Sequence, residues 1–210
     1  TTFSDVSGWY AGYVETCYEL GLFSGTGTGR FSPDASMTAA EAVKLAACLH
    51  SIYETGSADF VQGDPWWQVY ADYCLENSIM EDVFHDYSNA ISRAQFAVLL
   101  AAALPDEVLS EMNAIADEAI PDVHVSDSYG PAVYKLYRAG VFTGTDSTGA
   151  FHPNTNIRRS EVAAVITRMV RVSERKSVTL GTSSGSVLTA EQVYAKCAPS
   201  VFSMITYDAN

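Results

Sequence analysis

The sequence is poor in the residues that most chemistries need. Twelve Lys and Arg stand against 25 Asp and Glu, a formal net charge of −13 over 210 residues. A field of that sign repels phosphate, which argues against a nucleic-acid partner. No apolar run reaches the roughly 18 residues of a membrane-spanning helix. The chain opens directly at "TTFSDV", without a signal-peptide pattern, which an exported protein would have shed. The four cysteines, Cys17, Cys48, Cys74 and Cys197, form no CxxC and no His-flanked pair, so no zinc site is expected. No loop carries the alternating acids of an EF-hand, and neither metal nor cofactor is expected. The four histidines, His50, His85, His124 and His152, stand beside no plausible nucleophile and acid, so this chain reads as non-catalytic.

What the sequence does have is a glycine-rich loop running into an apolar helix, "GTGTGRFSPDASMTAAEA" from Gly25. A phosphate loop would need Lys and then Ser or Thr after its glycines; Gly29 is followed by Arg30, Phe31, Ser32 and Pro33. The loop occurs again from Gly144, "GTDSTGAFHPNTNIRRSEVA", with Phe31 and Phe151, Pro33 and Pro153, and Glu41 and Glu161 each 120 residues apart. A spacing that long implies a middle copy. "AISRAQFAVLLAAAL" from Ala90 supplies its helix, and "SIMEDVFHDYSNA" a shorter loop without glycine.

The preceding segments align as well: "WYAGYVETCYELGL" from Trp9, "WWQVYADYCLENSI" from Trp66 and "SYGPAVYKLYRAGV" from Ser128. Their apolar residues recur at helical spacing, and Gly21 and Gly140 sit where a helix C-cap glycine belongs. Each repeat is therefore helix, loop, helix, with second helices over Thr38–Tyr53, Ser92–Leu104 and Arg158–Val172. Thr38 and Glu41 have capping-box spacing. Cys17 and Cys74 share a position with Leu136, which makes it a core position and favours buried thiols over disulfides.

These residues resemble the S-layer homology family: "FSDVSGW", "GTGTGRFSP" and "MTAAE" in repeat 1, "GDPWW" and "ISRAQ" in a degenerate repeat 2, "IPDVHVSDSY", "GTDSTGAFHP" and "IRRSE" in repeat 3. The resemblance implies a mainly all-α fold, with three helix-loop-helix repeats in a pseudo-threefold spindle around a central three-helix bundle. We expect Val43, Ala46, Leu99, Ala102, Val165 and Met169 to be buried in it. The divisions read from the sequence are repeat 1 over 1–56, repeat 2 over 57–105, an acidic helical connection over 106–120, repeat 3 over 121–173, a Ser/Gly linker over 174–188 and a C-terminal segment over 189–210. The linker holds Gly181-Thr182-Ser183-Ser184-Gly185, which fits a nucleophile elbow only formally. The last segment, read as a short helix and strand, resembles the opening of a trypsin-like serine protease domain of the HtrA type.

The resemblance further implies an extracellular anchoring module, monomeric and held at the cell wall by a pyruvylated secondary polymer, a glycan linked to peptidoglycan. The alternatives are a targeting or regulatory part of a secreted protease, and a protein scaffold that no longer binds glycan. A helix N-terminus with free amides and a first-turn arginine would hold the ketal carboxylate. Arg93 and Arg159 match that arginine, as ligand contacts or as structural ion pairs. Ala39 stands in its place in repeat 1, where Arg30 or Lys44 would have to substitute. Trp9 and Trp66 match the family Trp, as sugar platforms or as core. Asp5, Asp122, Gly25 and Gly144 complete the candidate binding set, and Phe31 and Phe151 read as loop anchors.

Overall fold

The computed structural model describes residues 3–180. It contains helices α1 (Ala11–Glu19), α2 (Ala39–Thr55), α3 (Gln68–Glu76), α4 (Arg93–Ala103), α5 (Gly130–Arg138) and α6 (Arg159–Val170), with no strand beyond isolated bridges among the described residues. The fold is all-α, as the repeats imply.

The second helices of the repeats, α2, α4 and α6, start at Thr38, Ser92 and Arg158 in extended conformation. Thr38 and Ser92 each accept a hydrogen bond from the third helical amide, and the Glu41 and Gln95 side chains accept one from the cap amide in return. Arg158 has no acceptor, so only the return bond forms there, from its amide to Glu161 Oε2 at 3.0 Å. The first helices end alike. The amides of Leu22, Ile79 and Val141 reach back to the carbonyls of Cys17, Cys74 and Leu136. The left-handed residue this requires is Gly21 (φ 69°) or Gly140 (φ 72°), and in repeat 2 it is Ser78 (φ 57°). A side chain there costs about 1–2 kcal/mol, one local mark of degeneracy in repeat 2.

The three repeats close on themselves at a ring. The Met37 amide donates to the Ile157 carbonyl, Ile157 to Ile91, and Ile91 to Met37, at 3.0, 3.2 and 2.9 Å. All three side chains are buried. Helix packing is cyclic too, but it does not follow the repeats. The helix α3 packs on α2, α5 on α4, and α1 on α6, so each first helix lies against the second helix of the preceding repeat. Among the described residues, α2 also packs closely on α4, whereas the close approach of α6 is to α1. The central helices are thus joined by the ring at their starts and not as three equally close pairs. Val43, Ala46, Leu99, Val165 and Met169 are buried as expected; Ala102 is exposed, because that face of α4 borders an open groove.

Cys17 and Cys74 are free and fully buried at the helix pairs. The Cys17 thiol donates to the Ala163 carbonyl of α6 (3.4 Å), and Cys74 to Val43 of α2 (3.6 Å). Leu136 fills the same place between α5 and α4, likewise fully buried.

Two expectations are corrected. The acidic connection over 106–120 contains no helix. Its apolar residues Leu109, Ile115 and Ile120, which lack helical spacing, each turn into the core, and Pro105 and Pro121 bracket them. Its acids neutralise α5 instead: Asp106 meets Lys135 and Asp117 meets Arg138, at 2.6 and 2.7 Å. The linker expected from 174 does not leave the body there. Arg175 donates to the carbonyls of Arg168 and Val108, and the Lys176 amide to Gly140. The remainder, with the formal elbow and the segment over 189–210, lies outside the described residues.

Candidate functional site

The glycine loops are built from below by acids and from above by arginines. Asp5 accepts from the amides of Phe31 (2.8 Å) and Ser32 (2.9 Å); Asp122 accepts from Phe151 (2.8 Å) and His152 (2.7 Å). Each clamp holds a residue in left-handed conformation, Ser32 at φ 57° and His152 at φ 56°. The Phe31 amide, followed by that of Ser32, pulls the Asp5 carboxyl below its ordinary range, because both bonds favour the ionised form. Gly25 and Gly144 are required by close approach. A Cβ on Gly25 would lie 2.7 Å from the Arg30 carbonyl, and one on Gly144, itself at φ 83°, 2.7 Å from the Gly149 backbone. Phe31 and Phe151 are fully buried anchors.

Arg159 lies over Phe31 and Phe23, with its guanidinium carbon 4.8 and 5.1 Å from the ring centres. It donates to the Phe31 carbonyl (2.9 Å), to Glu41 Oε1 (2.6 Å) and to the Ser24 carbonyl (2.8 Å). Arg93 repeats the arrangement over Phe151 and Phe142, donating to the Phe151 carbonyl (2.7 Å) and to Glu161 Oε1 (2.6 Å). The two arginines are 3% and 4% exposed, and of the five N–H donors of each guanidinium Arg159 directs three and Arg93 two to partners inside the protein. The ion pairs run from each repeat to the next, Arg93 to Glu161 and Arg159 to Glu41. At the third interface the arginine position is Ala39 and the acid position is Gln95. Both charges are missing together, as expected when a carboxylate without its partner would be left at a largely buried site.

The helix starts differ from the expectation of free amides. The first two amides of α2 donate to Asn89 and Tyr87 carbonyls, those of α4 to Thr155 and Pro153, and those of α6 to Ala35 and Pro33, all at 2.9–3.0 Å. The loop of the next repeat around the ring occupies the place an anion would take.

Grooves open beside these clusters. One, of about 320 Å³, runs between the loop at Gly25, Glu41 and Lys44 of α2, Trp66 and the edge of Arg159. A second, of about 200 Å³, repeats it with the loop at Gly144, Glu161 and Arg168 of α6, Trp9 and Arg93. Every groove of this kind combines three repeats: the arginine from one, the loop and helix from the next, the tryptophan from the one after. Trp9 is 63% exposed and Trp66 39%, so both rings present a face to solvent and neither is core. A third groove, of about 310 Å³, takes the same place beside Gln95 but is walled by Met80, Phe84, Val98 and Leu99, with no cation and no tryptophan.

Each of the first two grooves has a cation without an acidic partner within 4 Å among the described residues, Lys44 and Arg168. In a chain with twice as many acids as bases, an unpaired cation on a groove wall is informative. Arg30 lies elsewhere, exposed and 3.7 Å from Asp5. Sequence reasoning weighed Lys44 and missed Arg168. The aligned helices contain the signal: Lys44 shares its position with Val98 and Ala164, and Arg168 shares its own with Cys48 and Ala102. No group of His, Cys, Asp and Glu suited to a metal occurs among the described residues. No described helix is long and apolar enough to cross a membrane.

Two segments, residues 2–43 and 119–163, match the family model of the S-layer homology domain. They are the parts of repeats 1 and 3 that carry both glycine loops and the starts of α2 and α6. Repeat 2 lies between the matches, although its helices complete the ring. No curated protein sequence matches the chain. Nothing in these matches supports a protease domain over 189–210.

Proposed function

We propose that this chain is a non-catalytic anchoring module, acting outside the cell as a monomer, that holds to the cell surface by binding an anionic glycan of the wall in two of its three grooves. The observation that carries the reading is the repetition, beside Arg159 and beside Arg93, of a groove lined by one exposed tryptophan and by one cation that has no acid within 4 Å among the described residues. The pattern fails at the third groove in every member at once. The similarity of both loop segments to S-layer homology domains agrees with the anchoring role.

In this mechanism the protein does no chemistry. The indole of Trp66 or Trp9 packs against the apolar face of a sugar ring. Lys44 or Arg168 meets the sugar's acidic group, a ketal carboxylate in a pyruvylated secondary polymer, and the buried arginine offers any remaining N–H at the groove floor. A charge-assisted contact of that kind contributes roughly 1.5–3 kcal/mol. Such contacts act at short range, so the chain's negative field, screened over about 8 Å at physiological salt, does not prevent them.

The test is calorimetric titration with pyruvylated cell-wall polymer fragments. The account expects Trp66→Ala and Lys44→Ala each to weaken binding about tenfold or more at one site, with the helical circular dichroism unchanged. Wild-type affinity in Trp9→Ala, Trp66→Ala double mutant protein would refute it.

A further inference from the structure

We infer that the third groove, beside Gln95, is a protein-docking site that takes a basic amphipathic segment of a partner polypeptide. The inference is independent of glycan binding in the other two grooves. The repeat 2 loop is shorter and lacks glycine, yet this groove has not collapsed. Its volume is about 310 Å³, against about 320 Å³ at Lys44. Equivalent positions show what has changed. The helix ends align Leu22, Ile79 and Val141, whose amides return to matching carbonyls. Two and three positions on, repeat 1 has the neutral Ser24 and Gly25, and repeat 3 has Thr143 and Gly144. Repeat 2 has Glu81 and Asp82 there. Both are exposed and line the groove, and neither has a cation within 4 Å among the described residues. On the helix wall the change is opposite. Val98 and Ala102 take the places of Lys44 and Arg168, and both are exposed at the groove, Val98 by 40%.

The sign of the groove is thereby reversed. The groove at Gly25 has Lys44 and Arg159 against Glu41, and that at Gly144 has Arg93 and Arg168 against Glu161, so each keeps one positive charge in excess. The third is lined by two negative charges and no positive one, over walls of Ile79, Met80, Phe84, Val98 and Leu99. An anionic ligand is repelled there. What fits is a ligand with apolar groups to withdraw from water and positive charge to meet Glu81 and Asp82. A polypeptide segment with leucine-like side chains along one face and Lys or Arg beside them supplies both, in the manner of a helix laid in a groove. A second copy of this chain is a poor occupant, since two bodies of net charge −13 repel each other.

The probe is a short amphipathic peptide of leucine and lysine, titrated into the ¹⁵N-labelled chain. Its comparisons are a leucine–glutamate peptide of the same pattern and a lysine–serine peptide without an apolar face. The leucine–lysine peptide should saturably shift the backbone amides of Glu81, Asp82, Val98 and Ala102 and leave those of Gly25 and Gly144 in place. Each comparison peptide should bind at least about tenfold more weakly, one for its charge and the other for its missing apolar face. Glu81→Gln with Asp82→Asn should weaken binding about tenfold, and Val98→Lys, which returns a cation to the place of Lys44, should do the same. Both variants change exposed side chains, and thermal melting checks their fold. No response, equal binding of the lysine–serine peptide, shifts centred on the acidic segment 106–120, or unchanged affinity in both folded variants would overturn the inference. The last three results would reduce it to the general attraction of a basic peptide to an acidic protein.

Discussion

At the scale of single residues, the arginines are the instructive case. The sequence shows Arg93 and Arg159 at matching helix starts, and the resemblance gave them a ligand. Their partners are 68 and 118 residues away, Glu161 and Glu41, and no local spacing encodes a bond across repeats. The glutamates look like capping residues and are also ion-pair partners. Arg159→Ala should therefore destabilise the fold, by about 3–5 kcal/mol, because it strands the carboxylate of Glu41 and the carbonyls of Phe31 and Ser24. Urea unfolding measures this, and adding Glu41→Gln should recover part of the loss. The missing third pair gives the converse prediction. Ala39→Arg alone should destabilise, and Ala39→Arg with Gln95→Glu should do so less, since only the double variant provides the buried charge with a partner. Unchanged midpoints in Arg159→Ala would show that the pair carries no structural weight.

At the scale of helices and loops, periodicity identified the apolar face of each element but not the neighbour that covers it. Cys17, Cys74 and Leu136 were legible as core from their shared position. That α1 covers α6, across the whole chain, was not legible, because α1 would present the same face to α2. The acidic connection misled for a related reason: composition suggested a solvated helix, while three irregularly spaced apolar residues tie it down. Burial pushes the Cys17 thiol up to about 11 and the Cys74 thiol to about 12, so neither forms thiolate near neutral pH. Alkylation at pH 8 should spare both in the native protein and modify both in denaturant; rapid native labelling of either would contradict the α1–α6 or α3–α2 packing.

The loop at Gly144 has its own pH signature. Hydrogen bonds from the Thr148 side chain, and then from nearby amides, hold the Asp146 carboxyl down at about 2 from an ordinary 3.8. A depressed carboxyl stabilises the loop fully above its ordinary value, and the effect is lost as pH falls through the folded value. The Thr148 and Ala150 amide resonances should accordingly stay in their native positions down to about pH 3 and shift below it. A shift centred near the ordinary value would mean that the turn does not hold Asp146.

At the scale of the whole molecule, three repeats form a closed ring whose binding grooves exist only between repeats. The repeat number was legible from the 120-residue spacing, which required a middle copy, and the weak second repeat earned its place through the ring bonds of Ile91. What the sequence could not convey is that each of the two tryptophan-lined grooves draws on all three repeats, because the tryptophan of one copy serves the loop of another. A degenerate repeat therefore damages one groove and still completes the other two: repeat 2 supplies Arg93 to one and Trp66 to the other. The most direct test of anchoring is sedimentation with purified cell walls, comparing the parent protein with a Trp9→Ala, Trp66→Ala, Lys44→Ala, Arg168→Gln variant shown by circular dichroism to be folded. The account predicts that the parent sediments with native walls and stays in solution with walls stripped of ketals by mild acid, and that the variant stays in solution with both. A folded variant that sediments like the parent, or a parent indifferent to the acid treatment, would contradict it.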